Sequence, residues 1–185
     1  MIDVFSDRRR MTTLEELGLL TDTPEEAYDR FTRLAASIVE TPIALFTVIT
    51  EDEQFFRSQV GLPEPIATTR RTPLSHSFCQ YVILTGKPLE VVDAREHPTV
   101  KDNPAIEDLG VIAYLGMPIV TRRGETLGSL CALEHEPREW TARDRSALKD
   151  LAGAAVTELE LRRANREAMQ LAERLDIALR QAEQR

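Results

Sequence analysis

Two cysteines, Cys79 and Cys131, carry the most reactive side chains of the chain. Cys79 begins a predicted helix, where a helix N-terminus lowers the pKa of a thiol, and His76 lies three residues earlier. This spacing permits a redox-sensitive or ligand-bonded thiol. Because cysteine is among the residues most often buried, we expect instead that Cys79 packs its helix on a sheet and that Cys131 lies in a core strand.

Metal and phosphate chemistry have little support among the other polar residues. His76, His97 and His135 do not pair with another histidine or with a cysteine at the spacing of a metal site, so we predict no metal. No phosphate-binding loop and no pair of catalytic carboxylates is recognisable in the sequence. We therefore predict no catalytic residues and no enzyme activity.

The composition excludes several classes of protein. With 42% hydrophobic and 29% charged residues, the chain is typical of a soluble globular domain. A net charge of -8 repels a phosphate backbone, so we expect no nucleic-acid partner. No apolar run reaches the roughly 18 residues that span a bilayer, and no signal peptide is recognisable. We expect a cytoplasmic protein that does not engage a membrane.

The N-terminal region is predicted as a mobile arm over residues 1–11 and a short helix over 13–20. Thr13 and Glu16 have the spacing of a capping box at the start of that helix. A second helix is predicted to begin at Thr23, with Pro24 at its first position, and to end before Pro42. Its expected core face is the apolar set at helical spacing, namely Ala27, Phe31, Leu34, Ala35 and Ile38.

The middle of the chain is rich in predicted strands. They cover residues 43–49, 55–60, 89–92, 111–120 and 125–133. Residues 61–77 are predicted as a long loop, and helices are predicted over 78–85, ended by Gly86, and over 105–109. Because consecutive strands are joined by tight turns, such as the one at Gly124, we expect antiparallel pairing. The predicted fold class is α+β, with one antiparallel or mixed sheet flanked by helices.

The last helix is predicted to begin at Thr141 and to run to the C-terminus. Its first part carries a core stripe, namely Leu148, Leu151, Ala152, Ala155, Val156 and Leu159. Its second part carries a heptad seam, namely Leu161, Ala164, Ala168, Leu171, Leu175, Ala178 and Ala182. The seam predicts a coiled-coil dimer; the alternative is an amphipathic helix folded back on its own domain.

Six short motifs occur in a fixed order along the middle of the chain. They are LTDTPEE at 20–26, FFRS at 55–58 with GL at 61–62, SFC at 77–79, VDA at 92–94, DNP at 102–104 and GSLC at 128–131. In their order and spacing, the chain resembles a GAF domain, a module of bacterial signalling proteins, over about residues 23–163. The resemblance implies a dimeric input domain that is coupled through its terminal helices to an output domain of kinase, phosphatase or cyclase type.

The resemblance divides the chain into three parts: an N-terminal arm and short helix (1–22), a sensory domain (23–160) and a C-terminal coiled-coil helix (161–185). It implies a ligand pocket between the sheet and the intervening loops and helices. The residues expected to contact a small ligand are Phe56, His76, Phe78, Cys79, Asp93, Asn103 and Tyr114. Asp93 and Asn103 could instead cap turns, and Phe56 and Tyr114 could be core. The ligand or cofactor itself is not predicted.

Two enzymatic or chromophore-binding branches of the family are not expected here. One reduces free methionine sulfoxide and needs a second thiol beside the catalytic one, whereas Cys79 and Cys131 lie on separate predicted elements. The other binds a linear tetrapyrrole through a cysteine commonly followed by histidine, whereas Gln80 follows Cys79. The leading hypothesis is a non-enzymatic sensory module that forms a parallel homodimer. The alternatives are a ligand-free dimerisation module and a thiol-based redox sensor or enzyme centred on Cys79.

Overall fold

The chain folds around one six-stranded antiparallel sheet with helices on both faces. The structure, a computed structural model, describes residues 4–183. The strands lie in the order β3-β2-β1-β6-β5-β4. They are β1 (Ile43–Ile49), β2 (Glu53–Val60), β3 (Arg71–Pro73), β4 (Leu89–Val91), β5 (Ala113–Val120) and β6 (Thr126–Glu134). The helices are α1 (Arg8–Glu16), α2 (Glu26–Val39), α3 (Ile66–Thr69), α4 (Cys79–Thr85), α5 (Ala105–Leu109) and α6 (Ala142–Glu183).

The two faces of the sheet pack against different helices, because successive strand residues point to opposite sides. On β1, Phe46 and Val48 face a core shared with α1, α2 and α6, which we call the helix face. Leu45 and Ile49 face a second core under α4 and α5, which we call the pocket face. The α+β class predicted from the sequence is confirmed, and the sheet is antiparallel throughout.

The N-terminal helix differs from its prediction. It begins at Arg8 rather than at Thr13, and the side chain of Asp7 accepts a hydrogen bond from the backbone N–H of Arg9 at 2.9 Å. Arg10 is buried and donates to the carbonyls of Thr126 and Leu127 at the start of β6. The arginine run therefore belongs to a packed helix and not to an arm. Residues 1–3 lie outside the described residues.

Helix α2 is shifted and rotated relative to its prediction. It begins at Glu26, and its buried side chains are Tyr28, Thr32, Ala35 and Val39. Leu34, expected in the core, is 40% exposed. The polar positions of the buried face have partners across the interface, since the Thr32 hydroxyl lies 2.7 Å from the Ser58 hydroxyl of β2. An apolar stripe alone could not identify this face.

The long predicted loop at 61–77 contains structure that the sequence did not indicate. Helix α3 is a single turn, and β3 adds an edge strand that pairs with the start of β2, Gln54 opposite Thr72. The prediction for the next element is confirmed, since Gly86 caps the C-terminus of α4 with a φ of 64°. The loop therefore ends directly at α4 and places it over the centre of the sheet.

Helix α6 begins as predicted. The Thr141 hydroxyl accepts from the Asp144 N–H at 3.1 Å, and the Asp144 carboxylate accepts from the Thr141 N–H at 2.9 Å. Four residues of the predicted core stripe are buried and the other two are half-buried. From residue 164 to residue 182 every side chain is exposed, so the fold-back alternative is wrong for this segment. Within residues 4–183, no helix combines the length and the apolarity that crossing a bilayer requires.

Candidate functional site

A small pocket opens on the pocket face of the sheet, between β2, β5, α4 and α5. Its volume is about 30 Å³, the space of very few water molecules. Its less buried lining residues are Leu62, Pro63, His76 and Leu109, so the pocket is closest to solvent at these side chains. The pocket is lined by Ile43, Leu45, Gln54, Phe56, Leu62, Pro63, His76, Phe78, Cys79, Ala105, Leu109, Val111, Tyr114 and Leu133.

Five of the seven residues predicted to contact a ligand line this pocket. They are Phe56, His76, Phe78, Cys79 and Tyr114. The rings of Phe78 and Tyr114 lie 5.6 Å apart at an angle of 57° and form one apolar wall. The fold thus brings these side chains together, and their contact with a ligand stays a prediction.

Asp93 and Asn103 lie outside the pocket and cap turns. The Asp93 carboxylate accepts from the Arg95 backbone N–H at 3.0 Å and forms an ion pair with the Arg95 guanidinium. Asn103 accepts from the Ala105 N–H at 2.9 Å, at the start of α5, and donates to the Ser77 carbonyl at 3.3 Å. Both residues shape the loops around the pocket rather than its interior.

His76 is held at the mouth of the pocket. Its Nε2 lies 2.9 Å from the Asp108 carboxylate and its Nδ1 lies 3.0 Å from the Ser75 hydroxyl. These contacts connect the turn before α4 to α5. The predicted assistance of His76 to the Cys79 thiol has no matching contact, because both ring nitrogens are engaged elsewhere.

One polar residue of the pocket was not predicted. Gln54 donates to the Thr72 hydroxyl at 3.0 Å and accepts from the Ser77 hydroxyl at 2.5 Å. It lies two residues before Phe56 on β2, so the alternation of side chains along a strand would have placed both on one face. The amide positions the turn that leads into α4 and adds a polar group to an otherwise apolar wall.

The two cysteines meet behind the pocket, contrary to the expectation that their elements keep them apart. The Cys79 Sγ lies 3.6 Å from the Cys131 Sγ, and both thiols are free and buried. The Tyr114 hydroxyl donates to the Cys79 Sγ at 3.2 Å and lies 3.4 Å from the Ser129 hydroxyl. Gly116 makes room for this hydroxyl, since a Cβ at that position would overlap the Tyr114 ring.

The surroundings of the thiols affect the pair unequally. Burial by itself raises both pKa values, but hydrogen bonds from Cys131 and Tyr114 bring the pKa of Cys79 below its ordinary value. Burial, together with the neighbouring Cys79, raises the pKa of Cys131 well above its ordinary value. Burial also raises the pKa of Tyr114, which therefore stays protonated as a donor. Cys79 is the thiol of this pair that ionises first.

A second polar cluster lies on the helix face, where α6 leaves the domain. The Glu25 carboxylate bridges the guanidinium groups of Arg57 on β2 and Arg162 on α6. Both guanidinium carbons lie 4.7 Å from the centre of the Tyr28 ring. The Arg57 side chain is fully buried. This cluster ties the sheet, α2 and α6 together at one point.

A second ion pair holds the next residue of α6. Arg163 pairs with Glu125 at 3.1 Å, and Glu125 also accepts from the hydroxyls of Thr13 at 2.8 Å and Thr121 at 3.0 Å. Although burial alone would raise them, the pKa values of Glu25 and Glu125 are lowered by their arginine partners and hydrogen bonds. We call the residues Glu25, Arg57, Glu125, Arg162 and Arg163 the α6 collar.

Most of the chain is similar in sequence to known proteins. A family model described as GAF domain matches residues 23–159. A cyclic di-GMP phosphodiesterase of Pseudomonas aeruginosa is 36% identical over 133 residues, which are 71% of this chain and 22% of that protein. The chain thus spans about a fifth of the length of this relative. In the part of the chain that the structure describes, no group of three or more His, Cys, Asp or Glu side chains could hold a metal ion.

Solved structures share the fold at low sequence identity. The GAF domain of a phosphoenolpyruvate-protein phosphotransferase from Coxiella burnetii has a TM-score of 0.63 at 20% identity, over 84% of this chain and 97% of that chain. A domain assigned to a two-component sensor histidine kinase of Sinorhizobium meliloti has a TM-score of 0.61 at 16% identity, over 81% and 99%. Free methionine-R-sulfoxide reductase from Neisseria meningitidis has a TM-score of 0.62 at 16% identity, over 89% and 98%.

Proposed function

The chain belongs to the GAF domain family, and from that premise we propose that it is a non-enzymatic sensory module. It receives a small-molecule or redox signal in its pocket, dimerises through the exposed part of α6, and relays the signal along that helix to an output domain. Residues 23–160 are the sensory part and residues 161–185 the coiled-coil part. Residues 184 and 185 lie beyond the described part of the chain.

The observation that carries this proposal is the position of β2 between the pocket and the α6 collar. Phe56 lines the pocket, and its neighbour Arg57 points to the other face of the sheet and pairs with Glu25. Glu25 in turn holds Arg162 of α6. A shift of β2 on ligand binding would therefore reach α6 through two ion pairs that share Glu25, the residue directly before α2.

The exposed seam supports dimerisation. Leu161, Leu171 and Leu175 are each more than half exposed, with values of 56%, 58% and 56%. Large apolar side chains at heptad spacing are typical of a surface that a second helix covers. We propose a second copy in parallel orientation, because this brings two output domains to the same end.

The output domain is proposed from the relatives. One relative is a cyclic di-GMP phosphodiesterase, and one structurally similar domain is assigned to a sensor histidine kinase. An output domain of this kind, on the same polypeptide or on a separate partner, would respond when the two α6 helices of the dimer rotate or move apart.

Native mass spectrometry of the purified protein tests the ligand and the dimer together. We expect a dimer that carries a reproducible extra mass. The variant Ala105→Leu, which fills the pocket, should lose the extra mass and stay dimeric, whereas Ala154→Leu on the exposed side of α6 should keep both. A bare dimer would contradict a tightly bound ligand, and a bare monomer would contradict the signalling helix.

A second candidate function is favoured by the size of the pocket. A volume of about 30 Å³ is far below the roughly 300–1,000 Å³ of ordinary small-molecule sites. A ligand-free dimerisation module needs no larger cavity. This candidate predicts a bare dimer. It also predicts that Ala105→Leu changes the melting temperature only through the packing of the added side chain.

A further inference from the structure

We propose that Cys79 and Cys131 form a redox site that takes a hydroperoxide as its substrate and closes to an intramolecular disulfide. This inference rests on the redox signal in the proposed function and adds the residues and the class of oxidant. It starts from the contact of the two sulfur atoms, 52 positions apart in sequence and 3.6 Å apart in the fold.

The geometry needs only a small movement to form the bond. A disulfide has a sulfur–sulfur distance of about 2.05 Å, so the two atoms must approach by about 1.5 Å. Cys131 is held in β6, which is paired with β1 on one side and with β5 on the other. The movement therefore falls on Cys79, at the start of the seven-residue helix α4.

Access to the pair is provided by the pocket. Cys79 and Tyr114 line it, whereas Cys131 lies behind Cys79 and does not. The pocket is too small for a large ligand, but its volume suits a molecule the size of hydrogen peroxide. An oxidant entering here meets Cys79 first, and Cys131 is in place as the second thiol.

The polar surroundings of the pair are unusual for an inert core. Tyr114 donates to the Cys79 sulfur, and Ser129 lies beside the same hydroxyl. Thr47 is fully buried on the neighbouring strand, and its hydroxyl forms no ordinary hydrogen bond within the described residues. The Thr47 hydroxyl also lowers the pKa of both thiols, so it faces them. The hydroxyls of Tyr114, Ser129 and Thr47 thus surround the two thiols, and the pocket reaches this buried point at Cys79.

The reaction proceeds in two balanced steps. The Cys79 sulfur attacks the terminal oxygen of the hydroperoxide, the O–O bond breaks, and the leaving alkoxide takes up the thiol proton as an alcohol. Cys79 is now a sulfenic acid, oxidised by two electrons. The Cys131 sulfur then attacks the Cys79 sulfur, the S–O bond breaks, and the departing hydroxide takes the Cys131 proton to form water. Overall, two thiols and one hydroperoxide give one disulfide, one alcohol and one water.

The disulfide would change the sensory module at its pocket. The new bond ties the first residue of α4 to the central strand β6 and draws one wall of the pocket toward the sheet. It also moves the Cys79 sulfur, which accepts a hydrogen bond from the Tyr114 hydroxyl in the reduced form. Oxidation and occupation of the pocket by a ligand therefore act on the same side chains.

The experiment exposes the fully reduced whole chain to hydrogen peroxide and, in parallel, to tert-butyl hydroperoxide, which is larger than the pocket and should react more slowly. Free thiols are counted after unfolding, and a non-reducing peptide map locates any crosslink. We expect both thiols to be lost together, one crosslink between Cys79 and Cys131, and a mass lower by two hydrogen atoms per chain. Two surviving thiols, crosslinks between chains only, or oxidation of Cys79 to sulfinic acid with Cys131 still free would each overturn the proposal.

Two variants separate the roles of the thiols. In Cys131→Ala, oxidation should stop at a sulfenic acid on Cys79 that dimedone traps; in Cys79→Ala, Cys131 should remain unmodified. If a variant does not fold, the peptide map of the unaltered chain still decides. Native mass spectra of the same samples distinguish the two proposals. A dimer without the disulfide removes only the redox site, whereas the disulfide in a monomer contradicts the signalling helix and leaves the redox site standing.

Discussion

At the scale of single residues, we predict that the reactivity of Cys79 depends on the hydroxyl of Tyr114. Replacing Tyr114 by Phe removes this donor and leaves the ring in place. We expect the pKa of Cys79 to rise, because its thiolate loses a hydrogen bond, and alkylation by iodoacetamide at neutral pH to slow several-fold. The measurement is the alkylation rate of Cys79 as a function of pH.

Tyr28→Phe is the matched control for this change. The Tyr28 hydroxyl is buried on the helix face and has no hydrogen-bond partner in the described part of the chain. Removing it should leave the alkylation profile unaltered and the stability equal or higher. If Tyr114→Phe also left the profile unaltered, the hydrogen bond to Cys79 would have no part in its reactivity.

Gly116 provides the space that the Tyr114 hydroxyl occupies. We expect Gly116→Ala to displace the ring from Cys79 and to lower the free energy of unfolding by about 1–3 kcal/mol, the usual effect of overpacking a core. Urea unfolding measures the stability, and the alkylation rate should fall as in Tyr114→Phe. The control is Gly153→Ala, since Gly153 is exposed on α6 and a Cβ there meets no atom. Equal stability of the two variants would mean that the missing Cβ of Gly116 is not what makes room for the Tyr114 ring.

Residue-scale prediction from sequence was uneven for physical reasons. Phe78 and Cys79 were expected at the pocket from the family resemblance, and the fold places them there. The contact between Cys79 and Cys131 could not be predicted, because it depends on how α4 packs across the sheet rather than on local sequence. Asp93 was expected at the pocket from the family resemblance, with turn capping as the alternative, and its carboxylate makes the turn-capping contact.

At the scale of elements, the α6 collar links the sheet to the last helix through groups that titrate in acid. The folded-state pKa of Glu25 lies below its ordinary value of about 4.3, so its ion pairs stabilise the fold above that value. This contribution is lost as the pH falls through the folded-state pKa. We expect Glu25→Gln to lower the urea midpoint at pH 7 and to have a much smaller effect at pH 3.

The control for the collar is the adjacent carboxylate. Glu26 pairs with Arg33 on the surface, with both side chains more than half exposed, so Glu26→Gln should leave the urea midpoint nearly unchanged at either pH. An equal effect of Glu25→Gln at pH 7 and pH 3 would show that the carboxylate stabilises the domain through packing and not through charge.

The elements themselves were predicted to different degrees. The first strand was predicted with its observed bounds, because β-branched and aromatic residues fill Ile43–Ile49 and turn residues flank it. The start of α1 was predicted too late in the sequence. Arg10 is buried and donates to two backbone carbonyls, and the sequence alone does not indicate that this charged residue packs inside the domain. The edge strand β3 was missed because Arg71–Pro73 contains no β-branched aliphatic or aromatic residue and ends in a proline, which favours a loop.

At the scale of the whole molecule, α6 is packed against the sheet in its first half and exposed in its second half. Helix α6 has 42 residues, which corresponds to about 60 Å. Its first half buries Leu148, Ala152, Ala155 and Leu159 against the sheet, and its second half is exposed beyond the collar. The collar lies at the junction of the two halves. A signal from the pocket would pass at this junction to the exposed half of α6.

The most direct test is the mass of the protein in solution by sedimentation equilibrium, compared with that of Leu171→Glu/Leu175→Glu. We predict a dimer whose dissociation constant rises at least about a hundredfold in this double variant, since each buried leucine contributes about 1.5–3 kcal/mol. The control Leu34→Glu/Leu84→Glu adds the same charge at exposed leucines outside the seam and should stay dimeric. Circular dichroism should show a folded domain in all three proteins. An unchanged mass in the seam variant, or a monomeric starting protein, would contradict dimerisation through α6.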